Sequence, residues 1–466
     1  MNINPTVMEA AAVFTGAGKQ VYLVGGAVRD LLRGQKVKDW DLATDARPEE
    51  VMELFRKLRT ESAGAAKSRI FVVPTGIKHG TVTVHYKGLC MEVTTFRSES
   101  GYSDGRRPDR VEFGVSMEAD LSRRDFTMNA AAYRLPRGPL LDPFNGREDI
   151  KRRLIRCVGR PEERFSEDGL RPVRAMRLAS QLDFSVDDKV LAAIPDALSF
   201  TAMVSVERIR DELDKIIASG KPSTALLLME QTGLLKLLIP ELAACRGVTQ
   251  DHPNGYGFHR FDVLDHSLLA CDFASQEGAP AEVRLAALYH DIGKPVTAQR
   301  DNEGCVTFYR HEKESAILAR RLFLRFRYPN AVMERVCHLI EEHMFHYEEN
   351  WTDAAVRRFV IRAEAQNLPD LYALRRADFY GLAGKAPPRD FLLPLAKRIE
   401  HCLAQSQALS LRDLAVSGKD LAAMGIPPGK RMGIILKELL DAVIDDPSLN
   451  TGEKLLEIAV KLNNKY

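Results

Sequence analysis

The chain has 466 residues, which at ~150 residues per domain leaves room for about three domains. Hydrophobic residues at 45% and charged residues at 28% are ordinary globular values, and they exclude a collagen-like, low-complexity or disordered chain. Lys+Arg at 66 against Asp+Glu at 64 leaves a net charge of +2, so any nucleic-acid partner must be held by local basic patches. No run of ~18 apolar residues is present, so no membrane-spanning helix is expected. The N-terminus, MNINPTVMEAAAVF, lacks the basic region and cleavage site of a secretion signal. Seven scattered cysteines without a C-x-x-C pair fit reduced thiols in a cytoplasm better than a disulfide frame or a cysteine zinc site.

The first ~135 residues alternate strand-like and helical runs, an α/β (α+β) pattern. VYLVGG (21–26) reads as an apolar strand entering a glycine turn, AVRDLLRG as a short helix ended by Gly34, and KDWDLAT (38–44) as a second strand. Arg47-Pro48-Glu49-Glu50 opens a helix, with proline in its first turn and acids at its positive end. TVTVHY (81–86) and MEVTTF (91–96) alternate as a half-buried sheet should. From about residue 145 onward, apolar residues recur at helical spacing, as in ERIRDELDKIIAS. Gly/Pro-rich breaks at 247–257, 384–388 and 425–429 are candidate linkers. Of the eleven histidines, nine lie beyond residue 250, which marks a region of different chemistry.

Asp39 and Asp41 flank Trp40 on the second strand. Period-2 geometry puts both carboxylates on one face, ~6–7 Å apart, where they can share divalent cations. Few oxygen ligands supplemented by substrate phosphates suit Mg²⁺, and Glu92 on a later strand would add a third carboxylate. Gly25 and Gly26, between strand and helix, would let bare N–H groups approach phosphate, with Arg29 one turn on aimed at the same anion. Taken together, GGAVRDLL followed by KDWDLAT resembles the active-site motif of the class II nucleotidyltransferases, the family of CCA-adding enzymes and bacterial poly(A) polymerases. The resemblance implies that Asp39 and Asp41 hold metals while an RNA 3′-hydroxyl attacks the α-phosphate of an NTP.

Four further stretches resemble family motifs in order. LSRRDFTMNA (121–130), with Met128 where the family usually has Ile, implies that Arg124 contacts nucleotide while Asp125 and Asn129 order the site. LDPFNGREDI (141–150) resembles the join of head to neck, SEDGLRPVRAMRLASQLDF (166–184) the neck helix, and VERIRDELDKI (206–216) the helix bracing it. Asp168 and Arg171, three apart on that neck helix, would project from one side. A carboxylate can accept from the exocyclic amine of cytosine or adenine while a guanidinium donates to the adjacent ring nitrogen. Guanine and uracil would instead turn a carbonyl towards the carboxylate, a costly mismatch at a dry site. Arg174 and Arg177 continue the stripe towards the triphosphate. The polar segment RSESGYSDGRRPDR (97–110), containing Glu99, Asp104 and Asp109, is similar to the flexible loop of enzymes able to add the terminal A. TGIKHGTVTV (75–84) is similar to the CCA-enzyme strand, and the G-R-R-F-like sequence of poly(A) polymerases is absent. An enzyme adding only A remains open.

His266, His290-Asp291 in ALYHDIGKP and Asp378 in LRRAD follow the order H…HD…D and resemble the metal site of HD-superfamily phosphohydrolases. His311 and His343 lie where those enzymes often place further ligands, whereas His338 and His346 read as structural. Imidazole and carboxylate together suit Mn, Fe, Co, Ni or Mg. The tail, VSGKDLAAMGIPPGKRMGIILKELLDAV with Asn450 and Glu453 beyond, resembles the C-terminal helical module of CCA enzymes, with Lys419, Lys430 and Arg431 as candidate phosphate contacts. The expected architecture is a nucleotidyltransferase head (1–145), an all-α neck (146–245), an HD body (246–400) and a helical tail (401–466). The expected activity is template-independent CCA addition to the acceptor arm of tRNA from CTP and ATP, with Mg²⁺ in the head and a second divalent metal in the HD domain. The alternatives are an A-adding enzyme or poly(A) polymerase of the same family, an HD phosphohydrolase whose head only binds nucleotide, and a tRNA-binding module with a dead site.

Overall fold

Strand-forming runs of the first third pair into one mixed sheet. The computed structural model describes residues 2–61, 70–100, 110–250, 261–300, 306–405 and 410–465. The chain forms two units, Met1–Ala243 and Ala244–Tyr466. In the first, strands β1 (Val21–Val24), β2 (Trp40–Thr44), β3 (Ile70–Gly76), β4 (Thr81–Tyr86), β5 (Leu89–Thr95), β8 (Ala132–Arg134) and β9 (Leu140–Leu141) line up in the order β3-β4-β5-β2-β1-β8-β9. Only β2 and β5 run parallel, and all other neighbours are antiparallel.

Alternation along β1 explains its apolar sequence. Val21 and Leu23 join Leu42, Val82, Val84, Met91 and Val93 in a core under helices α1 (Pro5–Gly16) and α3 (Pro48–Glu61), to which Phe14 and Phe55 contribute. Tyr22 and Val24 face the other way, with Ala43, Phe96 and Leu121. By the same alternation Asp41 and Glu92 point to this second face, away from the α1/α3 core. Between β1 and β2 lies α2 (Gly25–Leu32). The segment 97–110 differs from its expectation as a loop. Its first four residues are strand β6 (Arg97–Ser100), paired antiparallel with β7 (Arg110–Phe113), and 101–109 lies outside the described residues.

Helices α4 (Met117–Ser122), α5 (Gly146–Arg152), α6 (Pro161–Glu167), α7 (Arg171–Leu182), α8 (Asp188–Ala202) and α9 (Val206–Ile217) carry the rest of the site. The expected single neck helix over 166–184 is two helices with a break at Asp168–Leu170. Thr201 Oγ1 donates to the Gly169 carbonyl at 2.8 Å. A Cβ on residue 169 would stand 2.2 Å from the Phe200 carbonyl oxygen, so only glycine fits there. Pro172 in the first turn of α7 then supplies a fixed φ suited to restarting a helix.

In the second unit the helices Val263–Gln276, Ala281–Tyr289, His311–Arg325, Asn330–Glu342 and Leu368–Ala383 pack on one another. The tail has its own core, built on Leu421, Ile426, Ile435, Leu439, Val443, Leu455 and Ala459. Ile426 belongs to that core, so 425–429 is a turn within the tail and not a linker. Among the described residues no helix is long and apolar enough to cross a membrane.

Candidate functional site

A polar cavity of about 730 Å³ opens on the second face of the sheet, and all its lining residues belong to the first unit. Asp41 and Glu92 stand on its floor as register partners on parallel β2 and β5. Asp39 lies one residue before β2, exposed, and close enough to act electrostatically on Asp41. Burial pushes the Asp41 carboxyl from 3.8 up to about 6; Glu92 and Asp39 add to the rise, while Arg124 and Arg29 oppose it. Mutually repelling carboxylates at one strand end fit a divalent cation, which would relieve the repulsion. Gly25, the first residue of α2, has φ +66°, and a Cβ there would come within 3.3 Å of Arg124 Nη1 and 3.4 Å of Asp41 Oδ2. Backbone must therefore pass this close to the carboxylate, as the glycine pair implies.

Arg124 lines the cavity beside Arg97 and Arg123. Asp120 on α4, 1% exposed, holds both neighbouring arginines, Arg123 at 2.8 Å and Arg124 at 3.1 Å, and accepts from the Arg97 N–H at 3.3 Å. Burial alone would raise its carboxyl, but Arg123 and Arg124 outweigh that and hold it below the usual carboxylate range. Arg29 is not free to swing. It donates to both oxygens of Asp30, at 2.9 and 3.1 Å, and to Asn129 Oδ1 at 3.0 Å, which leaves it beneath Gly26.

The neck closes the cavity from the other side. Asp168 caps the end of α6 in extended conformation, receives Arg208 of α9 at 2.8 Å and accepts from the Leu170 N–H at 3.1 Å. Arg171, 8% exposed, binds Glu167 at 2.6 Å and donates to the carbonyls of Arg164 and Arg123, both at 3.0 Å. The two groups thus meet at one cavity from a helix break, not from one continuous helix. Arg174 reaches the buried Asp125 at 2.7 Å. Burial would raise Asp125, but Arg174 and Arg171 keep it below the usual carboxylate range. Arg177 does not line the cavity: its guanidinium is taken by Glu212 of α9 at 2.5 Å and Gln181 at 2.6 Å.

The second unit brings six side chains together from five helices. His266 lies on the first helix, His290 and Asp291 follow the second, His311 begins the third, His343 ends the fourth and Asp378 lies on the fifth. All six are buried. His290, His311 and His343 each set Nδ1 against the carbonyl three residues back, Ala287, Phe308 and Ile340, at 2.9, 2.8 and 2.7 Å. A carbonyl only accepts, so Nδ1 carries the proton and Nε2 faces inward. Burial and the neighbouring His290 push His343 down to about 3. Burial would also lower His290, yet Asp291 and Asp378 raise it to about 10. Imidazoles that give up any Nε2 proton, together with the carboxylates, form a donor set that fits a divalent transition ion. Lys294, also buried, pairs with Asp291 at 2.7 Å. His338 bonds the Ala363 carbonyl at 2.9 Å and the His346 side chain is 78% exposed, so both stay outside the cluster. In the tail Lys419, Lys430 and Arg431 are exposed, while Asn450 is spent on the backbone of Ala415 and Asp413.

Sequence reasoning passed over Asp120, Arg123, Arg208, Arg97, His79 and Thr94, all at or under the cavity. Asp120 had a signal in its i,i+3 and i,i+4 spacing to Arg123 and Arg124. Arg208 sits in the bracing motif, but only tertiary structure reveals its partner, 40 residues away.

Comparison with known proteins gives three family matches: Poly A polymerase head domain over residues 21–156, probable RNA and SrmB-binding site of polymerase A over 183–246, and HD domain over 259–380. The CCA-adding enzyme of Lactobacillus gasseri is 45% identical over 453 residues, 96% of this chain and 94% of that protein. The Lactobacillus helveticus CCA-adding enzyme is 46% identical over 246 residues, a match spanning 53% of this chain and 58% of that protein. Among solved structures, the CCA-adding enzyme of Bacillus stearothermophilus in complex with CTP is similar over 99% of this chain and 98% of its own, with 29% identity and a TM-score of 0.71.

Proposed function

The chain belongs to the CCA-adding enzyme family, and from that premise we propose that it builds or repairs the 3′-terminal CCA of tRNA from CTP and ATP without a nucleic-acid template. One juxtaposition carries this reading: Asp41 and Glu92 share a cavity with Arg124, Asp168 and Arg171. Asp39 and Asp41, with Glu92 beside them, would hold Mg²⁺, which supplies positive charge to the triphosphate and lowers the cost of ionising the RNA 3′-hydroxyl. Gly25 and Gly26 let the start of α2 approach phosphate, and Arg124, fixed by Asp120, offers it a guanidinium. Arg174 supports Asp125 under the neck, and Arg29 orients Asn129.

Base choice falls to Asp168 and Arg171. Their partners Arg208 and Glu167 restrict both side chains to one geometry, which favours an amine donor beside a ring-nitrogen acceptor over the reverse. Cytosine and adenine both satisfy that pattern. We assign the head to 1–145, the neck to 146–245, the HD body to 246–400 and the tail to 401–466, with the tail's Lys419, Lys430 and Arg431 facing acceptor-arm phosphates by charge and shape. Six described cysteines are free thiols, in keeping with work in the cytoplasm. The test is incubation of tRNA lacking its CCA with CTP and ATP. Three nucleotides should be added, and none by Asp41→Asn while tRNA binding persists; near-normal addition by that variant would refute the assignment.

The convergence of His266, His290, Asp291 and Asp378 favours a second reading for the other unit, a metal-dependent phosphohydrolase. By resemblance to HD-bearing CCA enzymes, its substrates are phosphate ends of damaged RNA such as a 2′,3′-cyclic phosphate.

A further inference from the structure

The face of the sheet that carries Asp41 and Glu92 does not end at the cavity. From those two register partners the same row continues through Thr83 on β4 to Val73 on the edge strand β3. Two residues along, the next row on that face is Cys90, His85 and Phe71. Alternation fixes the face, because Ile70, Val72, Val82, Val84, Met91 and Val93 all turn the other way, into the core under α1 and α3.

This second row lies open. Cys90 and Glu92 are exposed, Phe71 is 44% exposed and Val73 37%. The rings of Phe71 and His85 stack, with centroids 4.3 Å apart and planes 13° from parallel. A cross-strand pair of this kind steadies a sheet, but a phenyl left nearly half in water beside an exposed valine is also an apolar patch that invites a partner. With strands ~4.8 Å apart and residues ~3.3 Å apart along each, His85 stands ~8 Å from Glu92 and Phe71 ~12 Å. Cys90 is the register partner of His85 on β5, and its short side chain leaves the ring open on the side towards Glu92. Cys90, Thr83, Val73 and Phe71 carry no charge, and the Thr83 hydroxyl is taken up with that of Thr75 at 2.9 Å. A neutral surface with a stacked aromatic pair suits the flat faces of bases better than phosphates or a charged peptide.

We infer that His85, backed by Phe71, is a stacking platform for an unpaired base of the RNA 3′ end. The ~8 Å from Glu92 corresponds to about two stacked steps of ~3.4 Å, so the base lies one or two nucleotides before the one that reacts. This rests on the reading that Asp41 and Glu92 receive the RNA 3′-hydroxyl. Every base has a π-face, so the platform holds the growing end whatever its sequence and leaves nucleotide choice to Asp168 and Arg171.

The test is ATP addition by the full chain to a transcript ending in CC. His85→Ala and Phe71→Leu should each raise KM for the RNA ~10-fold or more, with KM for ATP unmoved, and His85→Tyr should restore it. An abasic nucleotide second or third from the 3′ end should cost the parent a similar factor at one of those positions, and cost His85→Ala nothing further there. Unchanged KM for RNA in both variants, or protein and abasic penalties that multiply, would overturn the platform and leave the head a nucleotidyltransferase. A dimer in sedimentation that Phe71→Leu dissolves without moving KM for RNA would overturn it in favour of a contact between copies of the chain. No addition by the parent would overturn the reading of the head as well.

Discussion

Asp41→Asn should stabilise the metal-free protein even as it ends catalysis. Burial, with Glu92 and Asp39, raises the Asp41 carboxyl from 3.8 to about 6, so the folded protein holds its proton more tightly than the unfolded chain does. Below pH ~4 both states are protonated and the group is neutral to stability. As pH climbs from ~4 to ~6 the unfolded chain ionises first, and above ~6 the folded state carries the full cost of a crowded anion. A rise of about two units at ~1.36 kcal/mol each sets that cost at ~3 kcal/mol. Asparagine keeps the volume and removes the charge, although its buried amide gives back ~1 kcal/mol or more where it lacks partners. The expected net gain is ~1–2 kcal/mol at pH 8, or roughly 2–8 °C in Tm for a unit of this size, shrinking towards zero near pH 4. Thermal unfolding in chelator across that range reads it directly. Added Mg²⁺ should raise the wild-type Tm at pH 8 and leave the variant almost unmoved. A variant less stable than wild type at pH 8, or a gain independent of pH, would refute the electrostatic picture of the carboxylate floor.

Three other outcomes follow from the geometry. Asp168→Ala or Arg171→Ala should let UTP and GTP compete, with ~1.5–3 kcal/mol of discrimination lost per charged hydrogen bond, measured as kcat/KM for each of the four nucleotides; equal losses with all four would make the pair merely structural. Asp120→Asn should weaken triphosphate use at least tenfold by releasing Arg123 and Arg124, seen as a raised KM for ATP and CTP alike with base preference intact. In the second unit, hydrolysis of p-nitrophenyl phosphate or a 2′,3′-cyclic nucleotide should require Mn²⁺, Ni²⁺ or Mg²⁺ and vanish in His290→Ala. Because His290 is held protonated up to about 10 in the metal-free cluster, metal affinity should also weaken as pH falls; metal-independent hydrolysis, or none above the variant's background, would leave this unit a tRNA-binding body.

What the sequence discloses here is what short-range pattern can encode. TVTVHY is a strand from its first residue to its last, and the alternation that turns Asp41 and Glu92 to one face follows from period 2 alone, whereas the strand expected from residue 38 begins at Trp40 and leaves Asp39 just outside it. Ordered motifs single out the six side chains of the buried histidine and aspartate cluster, although five helices must fold to bring them together. The neck is different. SEDGLRPVR reads as one helix by composition, and its break depends on Gly169 pressing against the Phe200 carbonyl, a contact no local pattern reports. Gly169 and Pro172 were the available breaker signals. Arg177 fits a stripe aimed at triphosphate until Glu212, 35 residues on, claims its guanidinium. Arg208 escapes notice for the same reason, since its worth lies in a distant carboxylate.

Extension of three tRNA transcripts, ending before the first C, after one C and after CC, with CTP and ATP supplied separately, tests the central claim most directly. CTP alone should add two residues to the first transcript, one to the second and none to the third. ATP alone should add one residue to the third and then stop. Extension by ATP only on the CC transcript, with CTP inert throughout, would make this an A-adding enzyme, and long adenylate tails on any transcript would make it a poly(A) polymerase; either result contradicts CCA synthesis by this chain.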